Sequence, residues 1–277
     1  MEERDTLRYS IWDPTGNITA LVESEVAVER QPAVAAALMR RHPGVEQVGF
    51  VRMTDGSAED GIRAQLRMAG GEFCGNAAMS TAALCRLHVL DPDGQGSVWI
   101  RVSGVKEPVE VRLRPEGPDC FLAAIRMPAP REIREADFSF EGVCGRLPLV
   151  RMEGISHLLI EPGTAFCSLL RDREAAGRAV RTWCEELEAE GLGLMFLEGD
   201  RGAYRLTPLV YIPGSGTEFW ENSCASGSSA VGMALAARSG IAIRLSLCEP
   251  GGTLEVESDP IGSETWLSGA TRRIARF

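Results

Sequence analysis

Two cysteines carry the chemistry that this sequence could do. Cys74 lies in GGEFCGNAAMS (residues 70–80) and Cys224 in GTEFWENSCASGSSAVGMAL (residues 216–235). Each follows a glycine-bearing loop and runs straight into an Ala-rich stretch, which predicts a thiol at the first turn of a helix. There the positive end of the macrodipole favours the thiolate. The free N–H groups of the same turn form a cradle for an anion such as a carboxylate. Gly75 and Asn76 after the first cysteine, and Ala225, Ser226 and Gly227 after the second, are small enough to let a ligand reach that backbone. Two such thiols facing one carboxylate-bearing molecule suit the inversion of a carbon. One thiolate removes the α-proton while the opposed thiol delivers a proton to the other face.

The elements that must position these thiols read as two matched halves. LRYSIWDPTGNITALVES (7–24) alternates apolar and polar residues around a Pro-Thr-Gly-Asn turn and predicts a strand pair. PAVAAALMRRH (32–42) has helical spacing and a basic last turn. EQVGFVRM (46–53) and IRAQLRMAG (62–70) read as strands, NAAMSTAALCRLHVL (76–90) as a helix of good formers, and SVWIRVSG and VEVRLRP as strands again. RMPAPREI (126–133), with two prolines, is the candidate linker. The second half has strands at SHLLIEPG and GLMFLEGD flanking a helix near 171–190, then a strand at RLTPLVYIP, the second cysteine loop, a helix over 226–240, and strands at IAIRLSLCEP and GTLEVES. GGEFC answers GTEFWENSC, and each following helix leads to an apolar strand, a Glu-Pro pair and a Val-Glu-Val or Leu-Glu-Val strand. This order points to an internal duplication.

Composition narrows the chemistry. The chain has 277 residues, 44% hydrophobic and 25% charged, which is ample for one large or two ordinary domains. A net charge of −10 with no basic stripe argues against nucleic acid. No apolar run approaches the ~20 residues that span a bilayer, and the charged start MEERDTLRYS lacks a secretory apolar region. A cytoplasmic location with no membrane partner is expected. Eight cysteines lie scattered without C-x-x-C pairs, and three histidines (His42, His88 and His157) lack metal-ligand spacing. Neither a disulfide framework nor a metal site is expected. Against 28 arginines stands one lysine, Lys106, in a turn-like context. A Schiff-base cofactor such as pyridoxal phosphate needs a buried, tuned lysine, so no cofactor is expected.

The blocks DPTGNITALV, EQVGFV, GGEFCGNAAMS, YIPGSGTEFWENSCASG and EPGGTLEV together resemble the diaminopimelate epimerase and proline racemase superfamily. Within it they are most similar to the histidine racemases of staphylopine-type metallophore biosynthesis. The resemblance implies an α+β fold of two similar lobes, each a curved, mostly antiparallel sheet wrapped around a central helix, with the active site between them. The lobes would be residues 1–128, to which a C-terminal strand 267–277 returns, and residues 129–266. It implies a cofactor-independent amino-acid racemase with Cys74 and Cys224 as catalytic bases, histidine as the expected substrate, and a small-molecule partner with, at most, a second copy of the chain. The substrate-binding residues would be Asn17, Glu46, Gln47, Gly75, Asn76, Glu221, Ala225 and Ser226. Glu46 and Glu221 are both candidates for the ammonium or the side chain, with Glu46 the one expected to read an imidazole and Gln47 to hold the main-chain end; strand alternation points neighbours to opposite faces, so this requires the strand to end or bulge there. Where diaminopimelate epimerase grips a distal ammonium and carboxylate, this chain carries Met68, Ile155, Gly193 and Pro213. Burying charges against those residues would cost several kcal/mol, which disfavours diaminopimelate. Phe73, Phe219 and Trp220 beside the thiols read either as walls of a pocket or as ordinary core. The alternatives are diaminopimelate epimerase, a racemase of another amino acid, and, outside enzymes, a thiol-pair redox sensor or small-molecule binding protein.

Overall fold

A computed structural model describes residues 7–54, 61–88, 96–200, 203–214 and 216–277. The chain divides into two compact units, Met1–Ile125 with Ser268–Phe277, and Arg126–Leu267. Among the described residues no helix is long and apolar enough to cross a membrane.

The first unit opens with β1 (Tyr9–Pro14) and β2 (Thr19–Val22), antiparallel around the expected turn. Thr15 and Gly16 there have positive φ, and the Asp13 carboxylate accepts the Gly16 N–H at 2.7 Å. Helix α1 (Gln31–Arg41) has a proline in its first turn and Arg40 and Arg41 in its last, where cations meet the negative dipole end. It leads to β3 (Gln47–Met53), parallel to β2, and β4 (Ile62–Met68), antiparallel to β3. Next come α2 (Gly75–His88), β5 (Gly96–Val102), β6 (Val109–Gly117) and β7 (Cys120–Arg126). Helix α2 packs against β1 through β6, and every residue from Gly75 to Cys85 is buried. A helix enclosed this way cannot be amphipathic. Its alanines keep it thin enough to fit, which is why it is Ala-rich with no polar face.

The second unit contains β8 (Glu132–Phe140), β9 (Val143–Arg151), β10 (Ser156–Ile160), α3 (Arg173–Glu186), β11 (Leu192–Asp200), β12 (Ala203–Ile212) and β13 (Thr217–Trp220). After these follow α4 (Ala225–Ser239), β14 (Ile243–Glu249), β15 (Gly252–Ser258) and β16 (Thr265–Arg276), whose last residues belong to the first unit and pair antiparallel with β1. Strands β10 and β11 are parallel, as are β12 and β14, while β8–β9, β9–β10, β11–β12, β12–β13 and β14–β15 are antiparallel. Helix α3 is capped by Asp172, which accepts the Ala175 N–H at 2.9 Å. It buries Trp183 among Phe138, Leu147 and Phe196. Helix α4 packs against β8 to β11 and against β14 and β15; like α2 it is buried along nearly its whole length. It ends at Gly240 in the left-handed conformation.

Two sequence expectations need correction. The candidate linker RMPAPREI is shorter than its eight residues, because Arg126 closes β7 and Glu132 and Ile133 open β8. The 127–131 segment is held by its own bonds: Met127 N–H to the Thr265 carbonyl, and Arg131 N–H to that of Arg151. Strands β7, β8, β9 and β13 were not anticipated. The helix expected over 76–90 is seen to His88, and its last two residues lie outside the described residues.

Candidate active site

Cys74 immediately precedes α2, and its loop is pinned from below by β5's continuation. Ser103 Oγ accepts the Met68 N–H at 2.9 Å and donates to the Glu72 carbonyl at 2.8 Å. Gly104, at φ +80°, lies so close that a Cβ there would sit 2.3 Å from the Phe73 nitrogen. Only glycine permits this approach. The thiol accepts the N–H of Ala77, in the helix's first turn, at 3.4 Å. It also donates to Gln47 Oε1 at 2.7 Å. Gln47 is the first residue of β3, and both Glu46 and Gln47 donate their backbone N–H groups to the Ile18 carbonyl. The strand therefore begins at Gln47, with Glu46 just before it. Glu46 Oε2 accepts Asn17 Nδ2 at 3.1 Å. Asn17 itself is buried, and among the described residues nothing meets its Oδ1. The structure thus pairs Asn17 with Glu46, and Gln47 with the thiol.

Cys224 stands at the N-cap of α4 with extended backbone, and its sulfur accepts the Gly227 N–H from the first turn. Glu221, three residues earlier, hydrogen-bonds the thiol. Glu249, at the end of β14 and only 4% exposed, accepts the Cys224 backbone N–H at 2.8 Å and the Ser228 hydroxyl. Burial first, then the negative charges of Glu221 and Glu249, push the Cys224 thiol well above its ordinary value. The Gly227 N–H in the first turn of α4 acts in the opposite direction, as a helix start should, and is outweighed. Burial also raises Glu249 to about 8, against the opposing bonds from Ser228 and Cys224.

His157, on β10, is fully buried and donates to or accepts from Ser226 Oγ at 3.1 Å through Nε2; Ser226 Oγ lies 3.7 Å from the Cys224 sulfur. Burial lowers His157 to about 3, so the ring is neutral. Its register partner on β11 is Gly193, where a Cβ would lie 2.4 Å from His157 Nδ1. The glycine at 193 is required by the imidazole, a more local reason than the absence of a distal charge on a substrate.

Of the expected residues, Gln47 bonds Cys74, Gly75 and Asn76 follow it in α2, Glu46 pairs with Asn17 next to Gln47 in the chain, and Glu221, Ala225 and Ser226 lie within three residues of Cys224. Of the aromatic trio, Trp220 stacks on Phe196 with centroids 5.7 Å apart, beneath the Arg173 guanidinium, as core packing requires. Phe73 is half-buried and Phe219 is 52% exposed. Sequence reasoning missed Glu249 and gave His157 no role. Glu249 lies in the Glu-Pro pair that marked the repeat, and His157 is the one polar ring in the run SHLLI; these were the available signals.

The family described as histidine racemase CntK N-terminal domain matches residues 6–265. The chain belongs to this family. It is 29% identical over 272 residues to a histidine racemase of Fusobacterium nucleatum, covering 95% of this chain and 92% of that protein. To a histidine racemase of Staphylococcus aureus it is 28% identical over 277 residues, covering 98% and 97%. Among solved structures it matches a probable proline racemase from Agrobacterium radiobacter at TM-score 0.66 and 14% identity, covering 98% of this chain and 92% of that one. A hydroxyproline epimerase from Agrobacterium vitis matches at TM-score 0.64 and 14% identity, over 100% and 93%. The fold is therefore that of these racemases and epimerases, and family membership makes the chain an isomerase.

Proposed function

We infer that this chain racemises histidine without a cofactor, with Cys74 and Cys224 as the two bases. The observation that carries the reading is the family match over residues 6–265 to a chain that sets a thiol at the start of each of its two buried helices. The curated relatives bear the name histidine racemase over almost their full length.

In this reading the two units are the similar lobes of a duplicated fold, each built around its buried helix. The first turn of each helix, at Gly75 and Asn76 or at Ala225 and Ser226, offers N–H groups that a substrate carboxylate can take. Glu46, with Asn17 bonded to it, reads the side chain, since an ionised Glu is the acceptor that a desolvated imidazole N–H needs, worth ~1.5–3 kcal/mol. Gln47 is assigned to Cys74 as much as to the substrate. Its amide presents oxygen to the thiol, and on turning over presents NH₂ to the thiolate, so one side chain serves both protonation states. One cysteine enters the cycle as thiolate and takes the α-hydrogen. The other enters as thiol and gives its proton to the opposite face, and the product leaves with the roles exchanged. Burial serves this chemistry, because a thiolate removed from water is the stronger base toward a weakly acidic C–H.

A panel of L-amino acids followed by decay of circular dichroism tests the reading. Histidine should lose its optical activity fastest. If no amino acid is inverted, and mild oxidation removes both thiols reversibly, the chain is a thiol-pair sensor instead. A cytoplasmic setting fits thiols that must stay reduced.

A further inference from the structure

The conspicuous group left without a task is Glu249. A carboxylate 4% exposed at the end of a strand is rare unless it is paired. No arginine or lysine compensates it by hydrogen bond or ion pair among the described contacts. Its partners are the backbone N–H of Cys224 and the hydroxyl of Ser228, both in the first turn of α4. We propose that Glu249 is the positioning residue of Cys224: it anchors the cysteine's own amide and holds a carboxyl group beside the reacting residue. This rests on the reading of Cys224 as one of the two bases.

The geometry carries the first part. A backbone N–H at a helix start needs an acceptor, and Glu249 supplies one to the very residue whose side chain reacts. With its second oxygen it also ties Ser228, one turn further along the same helix. The same segment is stitched again by the Gly251 N–H to the Asn222 carbonyl at 2.8 Å. The Cys224 backbone therefore has little freedom to re-aim its sulfur.

Charge carries the second part. The groups acting on Glu249 are the Ser228 hydroxyl and Cys224 amide of α4, and the Glu221 carboxylate of the segment before it. Its register partner on β15, Gly252, contributes no side chain, and the β12 residue in register with the neighbouring Cys248 is Arg205. Burial delays ionisation of Glu249 to about pH 8, while the Cys224 thiol is pushed higher still. The carboxyl therefore ionises first, and Cys224 must lose its proton against an adjacent negative charge. Under the two-base reading, this charge favours the form of the enzyme in which Cys224 holds its proton.

The test is the pH dependence of Cys224 alkylation by iodoacetamide, mapped by peptide mass between pH 7 and 11, in wild type and Glu249→Gln. The variant should show a midpoint lower by about one pH unit. Above pH 8, where the wild-type carboxyl is ionised, and below both midpoints, alkylation should be about threefold faster in the variant, since the gain in thiolate is partly offset by its lower nucleophilicity. Glu249→Asp, which keeps the charge, should keep the high midpoint. Should Glu249→Gln fail to fold, Glu249→Met fills a similar volume without charge and should show the same fall. An unchanged or raised midpoint in a folded, uncharged variant overturns the proposal, even if its melting temperature drops, because a purely structural clamp would do that alone. The two-base reading fails separately: near-normal racemisation by Cys224→Ser would remove it and leave the alkylation result standing.

Discussion

A single methyl group at position 193 should cost this protein both stability and turnover. The Cβ of Gly193→Ala would lie 2.4 Å from His157 Nδ1 and 2.7 Å from the Met195 methyl. The methionine end can swing aside, but His157 is fully buried in β10 with its Nε2 bonded to Ser226. The ring must move, so the overpacking cost of about 1–3 kcal/mol is joined by about 1 kcal/mol for the lost hydrogen bond. A total of about 3 kcal/mol should lower the melting temperature by roughly 6–10 °C in a chain of this size. Because Ser226 Oγ lies 3.7 Å from the Cys224 sulfur, displacing its partner should also lower kcat more than about tenfold, with KM changed less. Differential scanning calorimetry and a chiral assay measure the two effects. A variant that melts within a degree of wild type at full activity would refute the reasoning, since it would mean that neither the contact nor the hydrogen bond constrains the site.

Cys74→Ser and Cys224→Ser should each lower racemisation by several orders of magnitude while far-UV circular dichroism stays native, because a hydroxyl is far less acidic than a thiol. Glu46→Gln should weaken histidine more than any other accepted amino acid; equal losses would show that Glu46 does not read the side chain, and faster turnover of diaminopimelate than of histidine would break the substrate assignment. His157 is depressed from 6.5 to about 3, so its stabilising contribution is complete above pH 6.5 and is lost as pH falls toward 3, about 1.4 kcal/mol per unit. Glu249 is raised from 4.5 to about 8, so its contribution is complete below pH 4.5 and is lost as pH rises toward 8. Urea denaturation should therefore show stability declining between pH 6.5 and 8 in wild type and not in Glu249→Gln, and declining below pH 4.5 in both.

The thiol-bearing helices were legible because burial on all sides leaves a signature in sequence: a run of alanines and small residues that no surface helix needs. The β1–β2 turn was legible from Pro14, Gly16 and Asn17, whose backbone demands are local. Strands β8 and β9 were not, for two different reasons. In β8, EIREADFSF, only Ala136 and Phe138 are buried, so its apolar signal is too thin. In β9, VCGRLPLVR, a glycine and a proline interrupt the alternation. At the site, Cys74, Gln47, Glu46 and Asn17 could be gathered from the sequence blocks, but their pairing could not. Which of two adjacent side chains meets the thiol depends on β3 beginning at Gln47. Glu249 and His157 were silent because their importance lies in burial, and burial of a lone polar residue is decided by the elements that close over it.

The most direct measurement is racemisation of L-histidine in D₂O by the purified, reduced chain, with the enantiomers separated and weighed by mass. The two-thiol account predicts D-histidine carrying one deuterium at Cα, formed without added pyridoxal phosphate and unaffected by EDTA. D-histidine that retains its original protium, or no D-histidine at all, would contradict it.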